Sequence, residues 1–289
     1  MRSRIPEFDG QTESFDERAG IGSEAGEQIA RVIVELAGLG PSDLVLEIGA
    51  GTGELGQHLA RLPLRYLGLD LSRPLLSVFG AKLAGVPLAV ADCEQPWPLP
   101  VGSVKTIVAA RVAHRLRAAP VAREVSRVLR PGGMLLIGQI ERDPASLMEQ
   151  LRAQRRRITG GGPGEHGVRQ ERRNARPLIE SLVAEGAVVL PPRVVARWER
   201  GHSPRQIIAG WAGLQRGPGA GDRSGAADRP GGRRRREREF VELDEDRRAA
   251  VLRELVAWAE ATYGDLDQPR LDAERFELRG VALPCEPTS

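Results

Sequence analysis

The residues able to do chemistry in this chain collect at the ends of short apolar runs. Leu44-Val45-Leu46-Glu47-Ile48 holds a single acid and stops in three alternating glycines, Gly49, Gly51 and Gly53, separated by Ala50 and Thr52. Without a Cβ, such a turn can bend sharply and bring its backbone close to a ligand. Two further runs end in acids. Asp70 closes the run from Arg65, 17 positions after Gly53, and Asp92 follows Leu88-Ala89-Val90-Ala91 with Cys93 beside it. A carboxylate in such a place makes strong hydrogen bonds to hydroxyl or amino donors, although an Asp after a short strand is also ordinary turn chemistry. A fourth run, Val104 to Ala110, leads to His114, whose imidazole has the right acidity to take a proton from an attacking hydroxyl or amine. The four histidines, His58, His114, His166 and His202, show no ligand spacing with Cys93 or Cys285, so no metal site is expected.

The elements that must position these residues follow from periodicity. Branched, uninterrupted apolar runs of this length read as strands covered on both faces, as parallel strands of α/β folds are. The run to Ile48 gives the first strand, and Glu54 to Leu62 is expected to be the helix after the turn, its free N–H groups aimed at whatever lies there. Strands are expected at Arg65–Asp70, Leu88–Ala91, Val104–Ala110 and Met134–Gln139. Helices are expected from about Ser23 to Leu39, where Gly38 and Gly40-Pro41 supply a stop, and from Ala118 to Arg130. The acids thus arrive in order at strand ends, where open α/β sheets bind ligands.

The glycine register separates two families. The dinucleotide fingerprint G-x-G-x-x-G is matched by Gly51, Gly53 and Gly56, but Gly49 already closes the strand, so this match lies two residues late. The pattern acid-x-Gly-x-Gly-x-Gly, met by Glu47, Gly49, Gly51 and Gly53, resembles motif I of the class I S-adenosylmethionine-dependent methyltransferases. Leu71-Ser72 after Asp70 matches the family's G-x-D-x-S continuation. Glu124-Val125-Ser126-Arg127-Val128-Leu129-Arg130-Pro131-Gly132-Gly133 resembles a signature of the same class, with Pro131 stopping a helix and the glycines turning the chain. Val104-Lys105 departs from the usual Phe-Asp at the start of the fourth strand.

The resemblance implies a Rossmann-like, doubly wound α/β fold with a seven-stranded, mostly parallel sheet, an antiparallel last strand and added helices, in a single domain over 1–289. It also implies S-adenosylmethionine as cofactor. Glu47, Gly49, Ala50, Gly51 and Gly53 would form the glycine turn, and Asp70 with Leu71 would meet the ribose hydroxyls. Asp92 and the main chain of Cys93 would meet the adenine, and the carbonyl of Ala110 the methionine end. His114 stands where similar enzymes carry a histidine, as a base or as a packing residue. A segment over 1–40, with Phe15, is expected to fold over the cofactor.

Beyond Asp143 the resemblance rests on layout. Additions at 143–176 and 199–265 are expected on the acceptor side, with a disordered Gly/Arg/Asp-rich loop at about 217–239. Helices are expected at Met148–Arg157, Pro177–Glu185, Ser203–Leu214 and Leu243–Tyr263, an extended stretch at Ala187–Trp198 and a last, edge strand at Arg275–Leu283. Trp198, Trp211 and Trp258 would line a pocket or pack in a core. Between Leu151 and Arg176 stand eight arginines against two glutamates, a solvated face or a contact for a phosphorylated partner. The implied acceptor is a small molecule. The alternatives are RNA or protein as acceptor and a non-catalytic cofactor binder, and Asp70 would serve the ribose of NAD equally well.

Composition is permissive: Lys+Arg 42 against Asp+Glu 39 gives a net charge of +3, too small to demand a nucleic-acid partner. Two distant cysteines point to a reducing compartment. The stretch from Met1 to Asp9 has no apolar core of an export signal, and no run approaches the roughly 20 apolar residues of a membrane span. A soluble cytoplasmic protein is expected.

Overall fold

The computed structural model describes residues 20–160, 175–212, 240 and 243–285. Phe15, His166, the arginines at 169, 172 and 173, and the loop expected at 217–239 lie outside the described residues.

Helix α1 (Ser23–Ala37) buries Ile29, Ala30 and Ile33 on one stripe and ends at Gly38, whose left-handed φ of 55° turns its amide back to the last carbonyls. Strand β1 (Leu44–Ile48) is buried over its last four residues. The helix after the glycine turn is much shorter than expected: α2 covers only Gly56–Leu59, set among turns. A Cβ at Gly56 would lie 2.4 Å from Glu47 Oε2 and 2.3 Å from the Tyr66 hydroxyl, so the backbone runs tight against β1 and β2 here rather than rising into a regular helix.

Strand β2 (Arg65–Asp70) is followed by α3 (Arg73–Lys82), which Ser72 caps by accepting from the Leu75 amide at 3.3 Å. Then come β3 (Leu88–Val90), β4 (Val104–Ala110), a 3₁₀ turn at Ala113–Arg115 and α4 (Ala118–Val128). Strand β5 (Leu129–Arg142) begins earlier and ends later than the apolar run implies. Its start is irregular: two steps along β4, Val104 to Thr106, pair with five along β5, Leu129 to Met134. The Pro131-Gly132-Gly133 signature forms this bulge. Gly132 has φ 68°, and a Cβ at Gly133 would lie 2.8 Å from the Arg130 carbonyl.

The later elements are α5 (Leu147–Ile158), α6 (Arg176–Ala184), β6 (Val188–Val189), β7 (Arg193–His202), α7 (Pro204–Ala212), α8 (Glu245–Tyr263) and β8 (Arg270–Ala282). Asp244 caps α8 through the Arg247 amide at 2.7 Å.

The sheet runs β3-β2-β1-β4-β5-β8-β6, with β7 pairing β8, so it has eight strands among the described residues where seven were expected. The extra strand is β7, which forms as the chain leaves Pro191-Pro192. Strands β1 to β5 are parallel throughout their pairings. β8 is not an edge strand: β6 pairs outside it, antiparallel. β8 also runs against β5, since Gly133 near the start of β5 bonds Leu283 just past the end of β8, while Gly138 packs on Phe276.

By contact density the chain forms two compact units. The larger comprises the described residues of 6–141, 170–197 and 275–289, and its core joins Ile48, Leu69, Ile107, Val125, Leu135 and Ile137. The smaller comprises those of 142–169 and 198–274, with a core of Leu147, Leu151, Ile207, Ile208, Leu255 and Leu266. The expected additions at 143–176 and 199–265 fall largely within the smaller unit's ranges. Among the described residues no helix is long and apolar enough to cross a membrane.

Candidate active site

The turn after β1 sits where β1 lies between β2 and β4. The sheet's winding reverses here, and parallel strands leave a crevice at their carboxyl ends. Gly49, Gly51 and Gly53 have φ of 71°, 54° and 80°, all in the left-handed region. Two of them are held by packing: a Cβ at Gly49 would come within 2.5 Å of Val112, and one at Gly53 within 2.2 Å of the Phe79 ring. Gly51 differs. A Cβ there would meet only the Gly49 carbonyl, at 4.0 Å, so the turn presents an open face at its middle.

Asp70 ties this turn to the next strand. Its Oδ2 accepts from the Gly51 amide and its Oδ1 from the Ser72 amide, both at 2.8 Å. Asp70 thus ties the Gly51 amide of the turn to the end of β2, while the expected helix Glu54–Leu62 is reduced to Gly56–Leu59. Gly49 and Ala50 donate to the Leu69 carbonyl, and Gly53 to that of Ala50.

Asp92 stands just past β3, and its Oδ1 accepts from the Glu94 amide at 2.9 Å. Cys93 is buried, with its carbonyl accepting from Trp97 Nε1 at 3.1 Å. Burial pushes its thiol up to about 12, and the Asp70 carboxylate adds to this despite a bond from the Gly49 backbone. That thiol has no nucleophilic role near neutral pH. The ends of β1, β2 and β3 thus converge: Gly49, Asp70 and Cys93 lie within mutual electrostatic reach.

Glu47 faces inward. It accepts from the Tyr66 hydroxyl at 2.5 Å, and its carboxyl is raised to about 8, by burial first, with Asp70 and Glu54 adding to the rise and Tyr66 opposing it. The same pair raises the Tyr66 phenol, through burial and the Glu47 charge. Leu71 lies half-buried between Asp70 and Ser72, and Ala110 ends β4 opposite Gly138. His114 is half-buried in the 3₁₀ turn after β4.

Two features escaped sequence reasoning. Arg111 leaves β4 with a φ of 59°, a left-handed conformation that costs a non-glycine residue roughly 1 kcal/mol or more. Its amide donates to the Gly138 carbonyl at 2.7 Å, and its guanidinium pairs with Glu54 of the glycine turn, so the ends of β1, β4 and β5 are tied together. Strain at a strand exit beside a ligand crevice is where function concentrates. The second feature is the work of Glu124 and Arg127 in the helix signature. Glu124 accepts from the Trp97 amide at 2.7 Å, while Arg127 donates to the Leu99 and Trp97 carbonyls at 2.7 and 3.0 Å and to Glu124. The pair clasps the loop that follows Asp92 and Cys93.

The tryptophans expected at a pocket belong to the smaller unit. Trp198 Nε1 donates to Glu274 at 2.8 Å, Trp211 and Trp258 pack against the apolar cluster, and Arg155 stacks over Trp211 at 4.3 Å. No group of three potential metal ligands occurs among the described residues.

A family model described as a methyltransferase domain matches residues 46–137. Over 131 residues the chain is 34% identical to a 23S rRNA (guanine(748)-N(1))-methyltransferase of Streptomyces fradiae, covering 43% of this chain and 44% of that one. Over 136 residues it is 30% identical to a malonyl-[acyl-carrier protein] O-methyltransferase of Yersinia pestis, covering 46% and 48%. The chain spans about half or less of the length of the curated relatives it matches. A solved structure described as a candidate type II methyltransferase of Anaeromyxobacter dehalogenans superposes with a TM-score of 0.55 at 20% identity, over 89% of this chain and 97% of that one, a likeness of fold. Residues 46–137, the stretch that carries the glycine turn and the strand-end acids, thus match a methyltransferase domain.

Proposed function

We propose that the protein transfers the methyl group of S-adenosylmethionine to a small-molecule acceptor by direct in-line displacement. One observation carries the reading: a glycine turn open only at Gly51, with Asp70 bonded to that glycine's amide and Asp92 at the neighbouring strand end. The residues fit the cofactor, since the open face of Gly51 leaves room that any side chain would take. In this reading Asp70 accepts from the two ribose hydroxyls, with Leu71 alongside. Asp92 and the Cys93 backbone meet the adenine, and the Ala110 carbonyl with Arg111 meets the methionine end.

When bound, the cofactor supplies a methyl carbon on a positively charged sulfur. Displacement of the carbon–sulfur bond by the acceptor's lone pair would leave a proton to be removed from the acceptor. His114 is assigned to take that proton. The remainder of the work is orientation and exclusion of water.

An RNA acceptor is the second reading, favoured by the Streptomyces fradiae relative and the arginines between 151 and 176. Of the five described arginines there, three are engaged locally, Arg152 with Glu149, Arg155 over Trp211 and Arg176 with Glu180, which favours the small molecule. The test is transfer of labelled methyl from S-adenosylmethionine to fractionated metabolite, RNA and protein pools. Label in the metabolite pool, lost at least about tenfold in His114→Ala with cofactor affinity kept, is the expected result. Label in RNA or protein alone would overturn the acceptor, and full transfer by the variant would dismiss the base.

A further inference from the structure

The smaller unit contains a buried charge cluster that the methyl-transfer reading leaves unused. Glu274 of β8, its side chain 3% exposed, accepts from Arg142 Nε at 2.5 Å, Trp198 Nε1 at 2.8 Å and Arg200 Nε at 3.2 Å. Trp198, Arg200 and His202 alternate along β7, and Asp272 and Glu274 along β8, so each set lies on one face of its strand. Two guanidinium groups therefore share one carboxylate. Of the other acids near it, Asp272 accepts from the Leu147 and Met148 amides at 2.8 and 3.2 Å, and Glu149, within electrostatic reach of Arg142, pairs with Arg152.

Burying such ions is costly, and apolar side chains of similar volume commonly hold strands together as well or better. A purely structural cluster would also use its donors. Arg142 does not: only Nε is bonded, and its two terminal nitrogens have no partner among the described residues, although the side chain is just 11% exposed. Glu274 thus fixes the Arg142 guanidinium through Nε alone. His202, whose charged neighbours are Arg200, Glu274, Asp272 and Arg142, contributes a buried Nε2 that likewise has no hydrogen-bond partner. A fixed guanidinium fork matches the paired oxygens of a carboxylate or phosphate.

We propose that Arg142, oriented by Glu274 and flanked by Arg200 and His202, is a recognition site for the carboxylate or phosphate group of a small ligand. The inference does not depend on methyl transfer. The test is thermal unfolding of the full chain with inorganic phosphate or malonate, against sodium chloride at equal ionic strength. A saturable rise in Tm of about 3 °C with at least one anion, lost in Arg142→Lys, is expected, because lysine keeps the charge but not the fork. The better anion distinguishes phosphate from carboxylate ligands. A second readout needs no variant: that anion should protect Arg142 of the wild-type protein from modification by phenylglyoxal, mapped by peptide mass. No stabilisation beyond the chloride control, stabilisation unchanged in the lysine variant, or unprotected labelling of Arg142 would overturn the proposal.

Discussion

Glu47 shows how one residue's chemistry follows from its surroundings. Its carboxyl titrates near 8 in the fold and at its ordinary 4.5 in the unfolded chain, because burial penalises the anion more than the Tyr66 hydroxyl helps it. Between those values folding takes up a proton. Its contribution therefore favours the fold at low pH and declines as pH rises from about 4.5 to about 8, by at most about 1.4 kcal/mol per pH unit. Glu47→Gln keeps an acceptor for Tyr66 and removes the titration. Urea unfolding across that window should show a flatter pH dependence and a more stable variant at the upper end, and an unchanged slope would refute the assignment. The glycines and the acids at 70 and 92 were legible because their pattern is one-dimensional. Arg111 was not, since a left-handed arginine has no sequence signal and its partner Glu54 lies 57 positions away.

At the scale of elements, the α4 clasp on the loop at 97–99 makes the helix signature more than a stop. Arg127→Ala removes bonds to the Trp97 and Leu99 carbonyls and to Glu124, and since the side chain is 30% exposed the expected loss is about 1–2 kcal/mol. Glu124 adds a pH signature. Its carboxyl is lowered, by the Arg127 hydrogen bond foremost, so its stabilisation is present above its unfolded value of 4.5 and is lost as pH falls through the depressed one. The variant should unfold at lower urea near neutral pH and show a weaker acid limb; equal stability would mean that the clasp is idle. The bounds of β2 and β4 could be read from apolar run and terminus alone. The helix after the glycine turn could not, because what shortens it to Gly56–Leu59 is the approach of Gly56 to Glu47, Tyr66 and Phe79, three residues from other elements. Nor could the length of β8, whose exposed Leu271 and Arg270 lie outside any apolar run and take strand form by pairing.

For the whole molecule, the parallel sheet and its strand order set the site. β1 between β2 and β4 brings the turn at 49–53, Asp70 and Asp92 to one end of adjacent strands, which the order of motifs along the chain already implied. The smaller unit was legible only as a loss of resemblance after Asp143, because its polar cluster is assembled from Arg142, Arg200 and Glu274, far apart in sequence. The central claim is that the crevice at Gly51 and Asp70 takes S-adenosylmethionine. Calorimetric titration of the wild-type protein and of Asp70→Ala with S-adenosylmethionine, S-adenosylhomocysteine and NAD tests it most directly. The two sulfur ligands should bind and NAD should not, with affinity at least about tenfold weaker in the variant, a loss of about 1.4 kcal/mol or more. Binding of NAD alone, or wild-type affinity in Asp70→Ala, would contradict the account.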